Sequence, residues 1–190
     1  MLRQLRPAVL ILLCLTVLTG GVYPLLITGI TKLVFPSQAA GSLLVRDGKT
    51  VGSRLIGQNF SDPKYFWGRP SATAPFANNA LASGGSNMGP LNPALMDAVK
   101  QRVAALKAAD PDNTQKIPVD LITASASGLD PDISIAAALY QANRIARVRH
   151  LDVEKVRALI DAHAQHRVLG FLGEPRVNVL QLNLALDAIR

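Results

Sequence analysis

The feature that most constrains this chain is a run of 25 residues without a charge, residues 7–31, close to the N-terminus. An α-helix rises about 1.5 Å per residue, so about 20 apolar residues cross the roughly 30 Å hydrocarbon core of a bilayer. The run is long enough to span a membrane with some tilt. We therefore expect a transmembrane helix over residues 7–34, followed by one soluble domain over residues 35–190.

The charges around this run predict its direction. Arg3 and Arg6 precede it, and the positive-inside rule favours a cytoplasmic N-terminus over residues 1–6. Long domains that follow such a helix cross the membrane largely regardless of their own charge. We therefore expect a single-pass protein of the cell inner membrane, with residues 35–190 in the periplasm or the external medium.

A cleaved signal peptide is the alternative interpretation of the N-terminus. The charged start and the small residues at positions 37–40 fit a signal peptide and its cleavage site. The uncharged run, however, is about twice as long as the usual apolar region of roughly 7–15 residues. The length of the run favours an uncleaved anchor in the lipid bilayer.

The predicted membrane helix carries residues that suit contact with another helix. Thr16 and Gly20 form a pair of small residues four positions apart, which lets a second helix approach closely. Pro24 removes one backbone donor, and neighbouring helices usually satisfy the carbonyl that it frees. The alternative is a lone anchor that merely tolerates these residues. The predicted partner contacts are Thr16, Gly20, Gly21, Tyr23, Pro24 and Gly29.

Composition excludes several classes of function for residues 35–190. The one cysteine, Cys14, lies in the apolar run, so the soluble domain holds neither a disulfide nor a cysteine-based metal site. The net charge of +7 comes without a basic run, which argues against binding to nucleic acid. The sequence contains no GxxxxGK[ST], GxSxG or HExxH motif, so we predict no catalytic residue and no metal site.

Hydrophobic periodicity and capping residues predict an α+β fold, a mixed α/β domain that is rich in helices toward its C-terminus. The dipeptide Asp47-Gly48 predicts a hairpin turn. Residues 58–93 are rich in Gly, Pro, Ser and Asn but hold five aromatic residues, which favours an ordered loop. We expect a strand over residues 117–123. Helices are predicted to start at Asn92-Pro93, at Ser134 or Asp132, at Asp152 and at Asn178.

Two polar segments are candidates for contact with an anion or a partner. Residues 83–90 contain three glycines, whose backbone N–H groups are accessible. Residues 123–131 place hydroxyls just before a helix N-terminus, where the helix dipole favours anions. A structural turn is the favoured interpretation of residues 83–90, whereas turns and caps explain residues 123–131 as well as an anion contact does. The candidate nucleotide or anion contacts are Ser125, Ser127, Asp130, Gln141 and Arg144.

Segments spread along the whole chain carry a resemblance to a known family. They include residues 23–25, 52–58, 69–72, 83–87, 127–131 and 173–180. In this order they resemble the C subunit of the bacterial Kdp potassium-transporting ATPase.

The resemblance implies a non-catalytic subunit of an ATP-driven, high-affinity potassium importer. Its partners would be a channel-like subunit and a P-type ATPase subunit, and its role would be their assembly and coupling. The family is also described as raising the ATP affinity of the ATPase subunit, with Gln141 at the position linked to nucleotide. An external domain has no access to cytosolic ATP, so the predicted orientation conflicts with ATP as a ligand, and we expect no tightly bound cofactor.

Overall fold

The computed structural model describes residues 2–189. The chain divides into two compact units, one up to Leu43 and one from Leu44 onward. The predicted α+β fold class is confirmed, because an N-terminal apolar helix is followed by a unit of mixed helices and strands.

The N-terminal unit is dominated by an apolar helix, Arg3–Val34, which has 32 residues and a mean hydropathy of 2.3 over its most apolar 18-residue stretch, sufficient to cross a bilayer. It consists of α1 (Leu2–Val17), a wider π-helical turn (Leu18–Val22) and α2 (Tyr23–Val34). The π turn ends two residues before Pro24. A proline cannot donate to the helical ladder, and its ring crowds the carbonyl four residues earlier. The helical ladder is therefore locally widened just before the proline. A short helix, α3 (Pro36–Ala39), follows.

The second unit begins with a hairpin and a long loop. Strands β1 (Leu43–Arg46) and β2 (Lys49–Ser53) pair across the predicted turn. Asp47 and Gly48 have φ values of 51° and 73°, as a tight hairpin turn requires. Residues 54–92 form neither helix nor strand, which confirms the predicted loop.

Four helices of this unit start at predicted capping residues. Each cap accepts a hydrogen bond from a backbone N–H of the first turn, a group that has no partner inside the helix. The helices are α4 (Pro93–Ala109), α5 (Ile135–Arg149), α6 (Val153–His163) and α7 (Val179–Ala188). Their caps are Asn92, Ser134, Asp152 and Asn178, with oxygen–nitrogen distances of 2.9–3.1 Å.

A three-stranded antiparallel sheet was not predicted from the sequence. Its strands are β3 (Asp132–Ser134), β4 (Ala164–Gln165) and β5 (Arg176–Asn178), in the order β3-β5-β4. The strand expected over residues 117–123 was wrong, because a 3₁₀ turn (Val119–Leu121) forms there. Thr123 Oγ1 donates to the Val119 carbonyl at 2.8 Å, a local bond that competes with strand pairing.

The core lies where α5, α6 and α7 pack around the sheet. Ile133 from β3 and Val177 from β5 are opposite each other in the register and are both buried. They join one cluster with Ile145, Ile160 and Leu182 from the three helices. The loop contributes Phe66, whose side chain is fully buried. A loop residue is therefore part of the core, and its backbone must be held from inside.

Candidate functional site

The two polar segments singled out in the sequence pack against each other. The Ser127 carbonyl accepts hydrogen bonds from the Gly84 N–H at 2.9 Å and from Ser83 Oγ at 3.0 Å. A Cβ atom on Gly85 would lie 2.8 Å from the Ala126 carbonyl oxygen, so only glycine fits this close approach. The polarity of these segments therefore serves, at least in part, to join them.

Gly128 is the second residue that this contact requires. Its φ of +68° is a left-handed conformation that favours glycine, and a Cβ there would lie 2.4 Å from Thr73 Cγ2. Its carbonyl accepts from Ser71 Oγ at 2.7 Å and from Asn78 Nδ2 at 3.2 Å. The loop over residues 71–84 is thus fastened to the segment before α5.

Ser125, Ser127 and Asp130 all have partners within this contact. Ser125 is buried, and its N–H donates to the Pro70 carbonyl at 3.1 Å. Ser127 Oγ accepts from the Leu129 N–H at 3.1 Å. One oxygen of Asp130 accepts from the Asp132 N–H and the other from Arg69 Nη1, both at 3.0 Å. These three predicted contacts lie on one stretch of loop.

A cleft of about 680 Å³ opens beside Asp130 and is lined by several carboxylates. Each of them has a partner: Asp120 accepts from the Ser134 N–H at 2.8 Å, and Asp132 accepts from Arg176 Nε at 2.9 Å and Asn178 Nδ2 at 3.1 Å. Burial nevertheless raises the pKa of Asp132 above its usual range, because the charged form loses solvation. The cleft carries both signs of charge, so it does not select for a cation or an anion by charge alone.

Gln141 is buried, with only 1% of its area exposed, and it binds the backbone of the loop. Its Oε1 accepts from the Trp67 N–H at 2.8 Å, and its Nε2 donates to the Trp67 carbonyl at 3.1 Å. The side-chain amide thereby forms the two hydrogen bonds that a neighbouring β-strand would otherwise make to the backbone of Trp67. Asn183 of α7 holds the adjacent residue in the same way, at 2.9 Å from the Phe66 N–H and 3.0 Å from its carbonyl.

Arg144 binds the same loop one helical turn further on. It is 2% exposed and donates to the carbonyls of Pro63 and Tyr65 and to Gln141 Oε1. Its guanidinium also lies over the Trp67 ring, 4.7 Å from the centroid. Burial lowers the pKa of Arg144 to about 10, because the cation is desolvated.

Asp187, a carboxylate of the last helix, forms a second set of contacts with the loop and with β1. Asp187 binds Arg149 of α5, Arg46 of β1 at 3.4 Å and the Tyr65 hydroxyl at 3.2 Å. Arg149 also lies over the Tyr65 ring, 5.0 Å from its centroid. Asn183 and Asp187 were not predicted as site residues. The signal was available, because both polar residues interrupt the apolar stripe of α7.

A second cavity of about 280 Å³ lies between the loop and α4. Phe60, Trp67 and Leu106 supply apolar walls, while Arg69 and Arg102 lie at its lining. Arg102 Nη1 donates to the Ile122 carbonyl at 2.8 Å, and burial lowers its pKa. The Nε of Arg69 is buried without a hydrogen-bond partner.

The predicted nucleotide contacts therefore fall into two groups that hold different parts of one loop. Ser125, Ser127 and Asp130 hold the stretch around residues 69–84, while Gln141 and Arg144 hold residues 63–67. A nucleotide at Gln141 and Arg144 would have to replace the bonds of Gln141 to Trp67 and those of Arg144 to the carbonyls of Pro63 and Tyr65. The nucleotide contact stays a prediction.

The predicted partner contacts in the apolar helix lie on a surface that the N-terminal unit leaves uncovered. Thr16, Tyr23 and Pro24 are exposed. A Cβ at Gly20, Gly21 or Gly29 would meet no atom within 4 Å. The contact of these residues with another helix stays a prediction.

Comparison with known proteins identifies the family. The family model described as "K+-transporting ATPase, c chain" matches residues 5–188. A "Potassium-transporting ATPase KdpC subunit" of Variovorax paradoxus is 68% identical over 184 residues, which cover 97% of this chain and 95% of the relative. One from Methylococcus capsulatus is 61% identical over 190 residues, the full length of both. The chain belongs to the KdpC family, the C subunits of the potassium-transporting ATPase.

Proposed function

We propose that this chain is a non-catalytic accessory subunit that is needed to assemble and couple the channel-like and P-type ATPase subunits of a potassium importer. Family membership supports a role in ATP-driven potassium transport. The proposal adds what the subunit does there: it holds its partners in a working arrangement through its membrane helix and its soluble unit.

The observation that carries this proposal is the uncovered surface of the apolar helix. Within the N-terminal unit, none of its most apolar 18-residue stretch is buried. Thr16, Gly20 and Gly21 offer small side chains, which allow close helix packing in a bilayer. The π turn before Pro24 changes the register of the helix face, and such turns are frequent at functional positions. A helix that served only as an anchor would need none of these features.

The buried polar residues of the second unit support a structural role rather than catalysis. Gln141, Arg144 and Asn183 direct their polar atoms to the backbone of one loop. The direction of the helix also belongs to this proposal: Arg3 and Arg6 favour a cytoplasmic N-terminus, which places the second unit on the extracytoplasmic side.

Co-purification tests the proposal directly. An affinity tag on the ATPase subunit is expected to retain the channel-like subunit when this chain is present and to lose most of it when the chain is deleted. Gly20→Ile is expected to weaken retention, because the larger side chain blocks close approach of a helix. Leu10→Ile is the matched control, since it changes shape but not size. Unchanged retention after deletion would contradict the proposal.

The family's suggested role in raising ATP affinity is the alternative function. Binding of a fluorescent ATP analogue to the full-length chain, compared between wild type and Gln141→Leu, tests it. Because Gln141 is already bonded to Trp67, we expect weak binding of the analogue. Gln141→Leu should lower this binding only as far as it lowers the fraction of folded protein. Micromolar binding abolished by Gln141→Leu in a folded protein would favour the alternative.

A further inference from the structure

The connection between β4 and β5 ends in an apolar tip, residues 168–172, with the sequence VLGFL. Val168 and Leu172 form an antiparallel bridge, in which the Val168 N–H donates to the Leu172 carbonyl at 2.9 Å and the Leu172 N–H to the Val168 carbonyl at 3.0 Å. The four apolar side chains are therefore held together on one tight turn.

All four side chains of the apolar tip are exposed to solvent. The exposed fractions are 65% for Val168, 79% for Leu169, 70% for Phe171 and 50% for Leu172. Single exposed apolar residues are ordinary on a protein surface, whereas a contiguous exposed group marks an interaction site. An aromatic ring flanked by leucines is also the kind of anchor that fills a pocket at an interface.

The backbone of the apolar tip is disfavoured for its sequence. The Phe171 N–H also donates to the Val168 carbonyl, which closes a four-residue turn over residues 168–171. Its two central residues are left-handed, with φ values of +54° at Leu169 and +80° at Gly170. Asparagine or aspartate before glycine is the usual choice for such a turn, because a leucine side chain crowds the backbone there. The chain thus places an exposed leucine where a polar residue would suit both the solvent and the turn. Folding of the chain alone gives no reason for that choice.

The charges at the base of the apolar tip are already neutralised. Arg167 pairs with Glu174 at 2.8 Å, and Arg176 pairs with Asp132 at 2.9 Å. Attachment to an anionic lipid surface uses free lysine or arginine side chains beside the apolar residues. A tip with paired charges and a fixed shape instead fits an uncharged protein pocket, where preorganisation reduces the cost of binding.

We propose that the apolar tip is a docking element that inserts into an uncharged, apolar socket on a partner subunit of the potassium-transporting complex. Phe171 and Leu169 fill the socket, and the Arg167–Glu174 pair remains at its rim. This inference rests on the proposed function, because it requires the chain to work within an assembled complex. It adds a contact of the second unit to the contact expected from the membrane helix.

Photo-cross-linking in the assembled complex tests which molecule covers the tip. A benzophenone amino acid replaces Phe171 in the full-length chain, and the same amino acid at Leu81, which is 97% exposed, is the control. We expect irradiation in membranes to join position 171, but not position 81, to a partner subunit. Cross-links at position 171 to lipid alone, to a second copy of this chain or to nothing would overturn the proposal.

A variant that keeps the turn separates docking from folding. Leu169→Asn removes the apolar side chain but suits the left-handed backbone, so the chain should melt at the same or a higher temperature. We expect its retention in the complex to fall at least fivefold during a stringent detergent wash, while Leu81→Asn is retained like wild type. Wild-type retention of Leu169→Asn would refute docking by the tip. If deletion of the whole chain also left the complex intact, the proposed function itself would fail.

Discussion

Two loops of the second unit differ in whether their apolar side chains are buried or exposed. The anchored loop, residues 62–69, buries Phe66 and has its backbone bound by Gln141, Arg144 and Asn183. The apolar tip, residues 168–172, exposes its apolar side chains, and its backbone hydrogen bonds join neighbours within residues 167–172. The anchored loop has the contacts of a protein interior, whereas the apolar tip has the surface of an interface without its partner.

The difference separates residues that maintain the fold from residues that are free to bind. A buried amide that loses its partner costs free energy, so the atoms that hold the anchored loop are poorly available to a ligand. An exposed apolar side chain stabilises the fold little and gains when a partner covers it. Substitutions in the anchored loop should therefore change stability, and substitutions in the tip should change association.

Arg144→Ala should have the largest effect on stability. It removes the donor that the carbonyls of Pro63 and Tyr65 use and leaves a cavity beside Trp67, so we expect the free energy of unfolding to fall by about 3 kcal/mol. Denaturant titration followed by the fluorescence of Trp67, the only tryptophan, measures this change. Arg157→Ala is the control, because its exposed pair with Glu154 contributes about 0.5 kcal/mol or less. Equal effects of the two substitutions would contradict the structural role of Arg144.

Gln141→Leu and Asn183→Leu should each cost about 2 kcal/mol, since each leaves one backbone N–H and one C=O of the loop, buried or partly buried, without their side-chain partner. The amides hold the adjacent residues Phe66 and Trp67, so the double variant should lose less than the sum. A double-mutant cycle from denaturant melts measures this coupling. Strict additivity would show that the two amides do not hold one cooperative loop.

Asp132→Asn should show a smaller effect that depends on pH. Burial raises the pKa of Asp132 in the folded state above the usual 3.8, so the wild type gains stability as the pH falls from neutral through that raised pKa toward 3.8. Asparagine does not titrate. The stability of Asp132→Asn relative to wild type should therefore decrease as the pH falls, as measured by melts between pH 7 and 4. A difference that is constant over this range would disprove the burial effect.

Phe171→Ser should have the smallest effect on folding. The ring is mostly exposed, so we expect the free energy of unfolding to change by no more than about 0.5 kcal/mol. Thermal melts of the full-length chain in detergent measure it. A loss comparable to that of Gln141→Leu would mean that the apolar tip maintains the fold, and the contrast between the two loops would disappear.

Local signals predicted most of the fold. Asn92, Ser134, Asp152 and Asn178 mark helix starts in the sequence, because a cap acts within three residues of its partner. Strands of two or three residues, such as β4, are too short to show alternation, so the sheet was missed.

The site was predicted only in part, because its contacts join distant residues. Gln141 was selected, but its partner Trp67 lies 74 residues away, and no local pattern reveals such a pairing. Unless that contact is known, the sequence does not distinguish a glutamine that binds the backbone of a loop from a glutamine that binds a ligand. The apolar tip was not singled out either, since an apolar pair around a glycine is equally typical of a core strand.

Potassium-stimulated ATP hydrolysis shows whether the partner subunits need this chain in order to work together. Hydrolysis would be measured in membranes that contain the channel-like and ATPase subunits, with wild-type chain, with Leu169→Asn or with no chain. We expect potassium stimulation to be lost without the chain and to be reduced with Leu169→Asn. Full stimulation in membranes that lack the chain would refute the proposed function.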